Sequence, residues 1–231
     1  MDVWANAPER PKTMSYNLMF NQITSFLPLL LKGLFTSVIL ACAGMLIGTL
    51  VGMLVGMARM SRMKSLRYIA SVYVEVFRNT PLLIQMYLIY FGLPQFDIRV
   101  SPLVTAIIAL IINNGAYTAV IFQSGYKAVD IGQGEAAAAL GMTSIQGILH
   151  ITIPQALRIV VGPLTNQFIS LFLFTSVAST VSVRELLTET LYVDTVTMRT
   201  FEVFIVTTLL YLVVTTVITL ISNFIESRKK Y

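Results

Sequence analysis

Cysteine, histidine and charge are all scarce in this chain, and each shortage removes a class of function. One cysteine, Cys42, in 231 residues excludes an internal disulfide. One histidine, His150, leaves no histidine cluster, so no metal site is expected. Asp, Glu, Lys and Arg make up only 12% of the residues, about half the share in an ordinary soluble domain. Apolar residues make up 56%, and the mean hydropathy is +0.78. Water solubility and disorder are both excluded, because so much apolar surface is buried favourably in any packed or lipid environment. The formal charge is +5, from 16 basic and 11 acidic residues. In a membrane protein it bears on which side the cations face, not on nucleic acid, and no nucleic-acid partner is expected. Catalytic devices are missing too. There is no zinc spacing, nucleophile elbow or pair of carboxylates in a pocket-like setting. Lys12-Thr13 and Lys64-Ser65 both lack the glycine of a phosphate-binding loop, so ATP-driven work falls to a partner.

What is present is a series of long apolar runs. Gly33 to Ala58 carries no charge over 26 residues, and crossing the hydrocarbon needs about 20. Further spans are expected at about Ile69–Leu93, interrupted by Glu75 and Arg78, at Leu103–Tyr126, at Ile159–Val183 and at Phe201–Ile225. The polar residues Met1 to Thr13 lack the apolar centre of a cleavable signal. From Tyr16 to Leu30 the apolar residues recur at helical spacing, which predicts a short amphipathic helix at the interface. The expected architecture is all-α: one domain over residues 1–231, with five crossings, a polar terminus and interfacial helix over 1–30, and a cytoplasmic segment over 127–154. Nine of the 16 basic residues fall on one side, concentrated at Arg59–Arg67 and Arg228–Lys230, and six on the other. That bias places the N-terminus outside and the C-terminus in the cytoplasm.

Gly44, Gly48, Gly52 and Gly56 line one face of the first span, either for close packing within the chain or for a seam between two copies. Gly162-Pro163 predicts a kink in the fourth span, where freed backbone groups need polar neighbours. In the cytoplasmic segment Glu135 is expected to begin an alanine-rich helix that stops at Gly141. Met142-Thr143-Ser144 then opens a second short helix that Pro154 ends. Such a projecting helical pair suits docking, not chemistry.

The series Glu135-Ala136-Ala137, Gly141, Ile151, Ile153 and Pro154, with Ile153 in place of the usual leucine, resembles the signature of permease subunits in bacterial ABC importers. Phe77 to Gln85, Tyr90 to Pro94, Pro154 to Ile159 and Asn166 to Leu171 resemble the polar amino acid permeases among them, the histidine/glutamine/arginine/opine group. The resemblance implies a multi-pass subunit of the bacterial inner membrane, with the fold of a type I ABC importer permease. It forms half of a translocation path with a second permease chain, identical or related. The implied partners are an ABC ATPase dimer that binds the ATP and magnesium, a periplasmic or lipid-anchored amino-acid-binding protein, the amino acid itself and surrounding lipid. No cofactor is implied in this chain. Coupling to the ATPase is implied for Glu135, Ala136, Ala137, Gly141, Met142, Thr143, Ser144 and Pro154, with ATP-driven closure of the motor favouring the outward-open permease.

Where the family commonly carries a Glu and an Arg in the third span, the chain has Val120 and Gln123. Where it carries a Lys and an Asp in the fourth, the chain has Leu173 and Phe174. Intramembrane charges are costly and usually functional, so their absence predicts a neutral wall, with a less charged substrate or charged contacts from a related partner. The polar residues left for the path are Asn113, Asn114, Tyr117, Thr118, Gln123, Asn166, Ser170, Thr175 and Ser176. Each serves equally as a hydrogen bond between helices. Glu75 and Arg78, three apart, are expected to form an intramembrane pair. A secondary transporter or channel is the first rival function, and a membrane enzyme the second. The first lacks an internal repeat and ion-coupling carboxylates, and the second lacks a convergent acid, base or metal set.

Overall fold

The computed structural model describes residues 16–227, and among these every regular element is helical. A single turn α1 (Asn21–Thr24) precedes α2 (Leu27–Arg59), and α3 (Lys64–Arg78) follows. Next comes α4 (Leu82–Tyr87), which runs on through a π turn (Leu88–Gly92) and a 3-10 turn (Leu93–Phe96). The long helix α5 (Pro102–Lys127) leads to the short pair α6 (Ile131–Ala139) and α7 (Ser144–Gly147). A π turn (Ile148–Thr152) joins α7 to α8 (Ile153–Phe174), which tightens to 3-10 over Thr175–Val181. The chain closes with α9 (Leu186–Thr197) and α10 (Thr200–Ser227).

Among the described residues four helices are long and apolar enough to cross a membrane: Leu27–Arg59, Pro102–Lys127, Ser144–Val181 and Thr200–Ile225. The expected span at Ile69–Leu93 is not one helix. It breaks at Asn79–Pro81, because Pro81 has no N–H for the Phe77 carbonyl four residues back. The interfacial helix expected over Tyr16–Leu30 is also absent as such. Among the described residues only α1 is helical before Leu27, and Leu27 to Leu30 belong to α2, whose Pro28 sits in the first turn, where a missing N–H costs nothing. The signals read from Met1 to Thr13 and from Arg228 to Lys230 lie outside the described residues.

The core forms around α2 and α5. Gly44, Gly48, Gly52 and Gly56 are all buried against α5, facing Leu110, Asn114, Thr118 and Ala119 in turn. The glycine stripe therefore serves packing within the chain. A backbone is within reach at each step: a β-carbon on Gly48 would lie 3.0 Å from the Ile111 carbonyl, and one on Gly56 3.0 Å from the Ala119 carbonyl. Polar groups tie the seam, because Asn114 Nδ2 donates to the Gly44 carbonyl and Thr118 Oγ1 to the Gly48 carbonyl, both at 3.3 Å. Hydrogen bonds between helices take over where lipid supplies no hydrophobic drive.

Because both sets of numbers climb together along the seam, α2 and α5 run parallel. The chain from Met60 to Ser101 must therefore return along the length of the pair, and the broken α3–α4 segment makes that return. Tyr73 donates to the Ile112 carbonyl at 2.6 Å, while Leu82 and Met86 join a core cluster with Ala106, Ala109 and Leu110. On the other side α8 runs antiparallel to α5. Gln167 Nε2 donates to Asn114 Oδ1 at 3.1 Å, and a β-carbon on Gly125 would strike Val160. Helix α10 packs antiparallel to α8 through Thr165–Ser222 and Phe172–Tyr211.

The start of α9 meets α2 at Gly33 and Ser37, the turn into α10 meets residues 16–19, and buried carboxylates organise both junctions. Glu185 caps α9, accepting from the Thr188 amide at 2.8 Å and from Ser37 of α2 at 3.1 Å. Burial pushes the Glu185 carboxyl up from its ordinary value, opposed by hydrogen bonds from the Leu187 and Thr188 amides and from Ser37. Glu189, also buried, pairs with the exposed Arg184 at 2.8 Å. Glu202 in the first turn of α10 accepts from the Tyr16 hydroxyl and the Met19 amide, pinning residues 16–19 to the bundle.

Candidate functional site

Two regions combine the residues the sequence singles out: the 131–152 segment and a cavity at the α3–α4 break. In the first, α6 begins at Ile131, with Asp130 as its cap accepting from the Gly132 amide at 2.6 Å. Glu135 therefore lies inside the helix instead of opening it, because Asp130 supplies the capping oxygen four residues earlier than expected. The stop falls where expected. Gly141 adopts φ +78°, its amide donates to the Ala138 carbonyl at 3.0 Å, and the Met142 amide reaches the Ala137 carbonyl at 3.1 Å. That pair of bonds is a Schellman closure, which favours glycine at the left-handed position. Thr143 then caps α7, its hydroxyl accepting from the Gln146 amide while Gln146 Oε1 accepts from the Thr143 amide.

Pro154 does not end the second helix. A π turn over Ile148–Thr152 precedes it, and the helix passes straight into α8, with Pro154 in the first turn. Rewinding to a wider turn absorbs the donor that proline lacks. The pair is thus one free helix folded onto the foot of a membrane helix. Ala137 is 2% exposed, and a β-carbon on Gly147 would lie 3.4 Å from its own, so Ala137 holds α6 to α7 and does not face outward. Glu135, Ala136, Gly141, Thr143, Ser144 and Pro154 are exposed, and Met142 is half-buried. The outward surface is more apolar than the signature alone implies. Ile131, Leu140 and Ile145 are respectively 82%, 80% and 69% exposed, and Leu149 is exposed beside them.

The second region is built by the break. Pro81 frees carbonyls at the end of α3, and α4 and α5 supply donors for them. Gln85 Nε2 donates to the Phe77 carbonyl at 2.9 Å and to the Thr80 carbonyl at 3.0 Å. Asn113 Nδ2 reaches the Phe77 carbonyl and Gln85 Oε1, both at 3.3 Å, and the Tyr117 hydroxyl donates to the Arg78 carbonyl at 3.4 Å. A cavity of about 420 Å³ opens beside this network, bounded by residues 78–83, Asn113, Tyr117, Phe174 and Val177. Asn113 is the twelfth residue of α5, ~17 Å down a helix ~39 Å long, so the cavity sits near mid-depth. Gln85→Leu is expected to leave the Thr80 carbonyl unpaired and the Phe77 carbonyl with Asn113 alone, and to lower stability by about 2 kcal/mol. The check is the melting temperature of the purified protein in detergent.

Glu75 and Arg78 do not pair. Glu75 accepts from Asn79 at 3.1 Å, whereas the Arg78 guanidinium lies over the Tyr117 ring, 5.3 Å from its centroid. Both belong to α3, but the Tyr117 ring of α5 draws the guanidinium and Asn79 takes the carboxylate. Of the path residues, Asn113 and Tyr117 line the cavity. Asn114 and Thr118 are buried in the seam with α2. Thr175 is buried and Ser176 half-buried, and each donates to the carbonyl three residues back, while Ser170 donates to the Asn166 carbonyl four back. Gln123 is half-buried and Asn166 exposed, both away from the cavity. Sequence reasoning missed the role of Gln85, although it lay inside a quoted motif four residues after a proline. It also missed the carboxylates Glu185, Glu189 and Glu202, whose one signal was their setting among Leu186, Leu187, Leu191 and Val203. Among the described residues no three of His, Cys, Asp and Glu converge as a metal group.

A bundle with several membrane-spanning helices, a mid-depth cavity and a projecting helical knob defines a membrane transport subunit. Residues 48–231 match the family described as binding-protein-dependent transport system inner membrane component, and the chain belongs to that family. It is 34% identical over 215 residues to the probable glutamine ABC transporter permease protein GlnM of Bacillus subtilis, covering 93% of this chain and 98% of that one. It is 38% identical over 162 residues to the L-cystine transport system permease protein TcyB of the same organism, 70% of this chain and 69% of that one. A chain from a crystal structure of an amino acid ABC transporter with histidines superposes with a TM-score of 0.88 at 34% identity, covering 92% of this chain and all of that one. The fold is that of type I ABC importer permeases, and the chain is an importer's membrane subunit whose ATPase activity lies in a separate subunit.

Proposed function

We propose that this chain works in a bacterial inner membrane as one of two permease subunits of an amino acid importer. Residues 131–152 receive the ATPase, and the Arg78–Tyr117 cavity lies on the substrate path. The observation that carries the reading is the knob: a capped, internally packed helical pair whose most exposed large apolar side chains are Ile131, Leu140 and Ile145. Exposed aliphatic groups on a rigid projection gain by docking in a complementary groove. The parallel α2–α5 pair supports a return crossing by the broken 64–96 segment, giving five crossings with the N-terminus outside. A binding protein would deliver substrate at that outer face. The two halves of a broken helix, joined by side-chain hydrogen bonds, suit a wall that rearranges as the path opens to alternate sides.

Leu140→Asp with Ile145→Asp is expected to leave the fold intact, both side chains being exposed, and to remove the ATPase from the affinity-purified chain. Equal ATPase recovery with the wild-type and the doubly substituted chain would overturn the docking assignment. Uptake by the wild-type chain in vesicles free of any ATPase would overturn the importer reading and restore the secondary transporter.

A further inference from the structure

We propose that the open groove between α2 and α3 binds an anionic diacyl phospholipid. An acyl chain lies along the groove, and the phosphate meets the basic turn that joins the two helices. The inference goes beyond the importer reading and does not depend on it, since it requires only that these helices stand in a membrane.

The groove has a volume of about 790 Å³, with Leu54 and Met57 of α2 on one wall and Leu66 and Ile69 of α3 on the other. All four side chains are exposed, Leu54 and Ile69 by 62% and 66%. The polar side chains on the walls are Ser61 and Tyr73, and both are engaged within the chain. Ser61 Oγ accepts from the Met63 amide at 3.1 Å, and Tyr73 donates to the Ile112 carbonyl at 2.6 Å. What the groove offers an occupant is therefore apolar contact. From Leu66 to Tyr73 its α3 wall is ~10 Å long, so part of an acyl chain lies in it and the rest continues into the bilayer.

Charge complementarity names the lipid. Gly33 to Ala58 is uncharged, and the cations begin immediately after it: Arg59, Arg62, Lys64 and Arg67. They fall on the turn between the two walls, where the chain leaves the hydrocarbon. Tyr68, 70% exposed one turn into α3, suits the same boundary. No acidic residue occurs between Glu9 and Glu75, and among the described residues none of the four cations forms an ion pair. Arg62, Lys64 and Arg67 are exposed. A membrane sets its phosphates at this level, and basic residues there attract anionic headgroups. A soluble partner would reach the cations but not an apolar wall at hydrocarbon depth. A zwitterionic lipid would fill the wall but bring a cation of its own to the turn. An anionic phospholipid satisfies wall and turn together.

The test is lipid binding to the purified full-length chain with its copurifying subunits, stripped of lipid in detergent and followed by native mass spectrometry. Phosphatidylglycerol should bind at least about tenfold more tightly than phosphatidylcholine with identical acyl chains, and high salt should narrow the gap. The triple variant Arg62→Gln, Lys64→Gln, Arg67→Gln should lose the preference with an unchanged melting temperature, because all three side chains are exposed. Lys32→Gln, an exposed cation at the other end of α2, should keep it. Ile69→Glu, which sets a carboxylate in the groove, should weaken phosphatidylglycerol by a similar factor, and excess inorganic phosphate should not displace the lipid. Equal binding of the two lipids, an unchanged preference in the triple variant, an equal loss in Lys32→Gln, or displacement by inorganic phosphate would overturn the proposal. Loss of a second permease chain from Ile69→Glu, with phosphatidylglycerol binding intact, would overturn it in favour of a groove covered by a neighbouring helix.

Discussion

Gly52→Val is expected to abolish recovery of folded protein, the largest loss of any single substitution in the membrane region. A β-carbon at position 52 would overlap Thr118 Oγ1 and lie 2.8 Å from the Gly115 carbonyl. Neither obstacle moves easily. Gly115 is backbone within α5, and the Thr118 hydroxyl is held by the Asn114 carbonyl at 2.8 Å and the Gly48 carbonyl at 3.3 Å. Relief requires α2 and α5 to separate along a seam that Gly44, Gly48 and Gly56 also hold closed. Overpacking costs about 1–3 kcal/mol where side chains can adjust, and backbone against backbone lies at or beyond the upper end. Gly92→Val supplies the contrast, since a β-carbon there meets nothing within 4 Å. Monodisperse protein in detergent should be recovered for Gly92→Val and lost for Gly52→Val. Equal recovery would mean that the seam is looser than the geometry requires.

Substrate uptake is expected to fall at least about a hundredfold for Ala137→Arg, a disruption of about 3 kcal/mol in the docking knob. Ala137 is sealed between α6 and α7, and an arginine there either buries an unpaired charge or pries the two helices apart. Gly141→Asp is expected to be milder, although the sequence signature weights both positions alike. Nothing lies within 4 Å of a β-carbon at position 141, so the cost is the left-handed backbone at φ +78°, about 1 kcal/mol for a residue such as aspartate that tolerates it. Uptake should then drop about fivefold. Gly141→Val, branched at the β-carbon, should fall between the two. Transport and ATPase recovery measured together on the three variants check this order, and a reversed ranking would place the contact on Gly141 itself.

The pattern in these effects also separates what was legible in residues from what was not. Hydropathy alone located α2, α5 and α10 within a few residues, because uncharged runs of about 20 or more have few alternatives in lipid. The glycine stripe was legible as a packing face, yet its partner was not. Spacing records which side of a helix is narrow, while the choice between α5 and a second copy is made by the fold. The knob's stop at Gly141 and the opening of its second helix at Met142-Thr143-Ser144 were legible because helix ends are local chemistry. Its inner face was not, since Ala136 and Ala137 are indistinguishable in sequence and only the approach of Gly147 buries one of them.

The cavity shows the same division more sharply. A proline after Phe77-Arg78-Asn79-Thr80 marks a break wherever it falls, but the donors that make the break tolerable lie 5 to 39 residues away. Gln85, Asn113 and Tyr117 converge only when α5 passes beside the end of α3. The expected Glu75–Arg78 pair failed for a related reason: the two share a face of α3, but the carboxylate takes Asn79 and the guanidinium takes the Tyr117 ring, 39 residues away. By itself the chain of residues determined a lipid-embedded helical protein with no chemistry of its own, because hydropathy and missing catalytic groups are properties of composition. The tertiary structure alone decided which polar residues are spent on packing and which line a cavity, because satisfaction of a buried hydrogen bond depends on neighbours that sequence distance does not reveal.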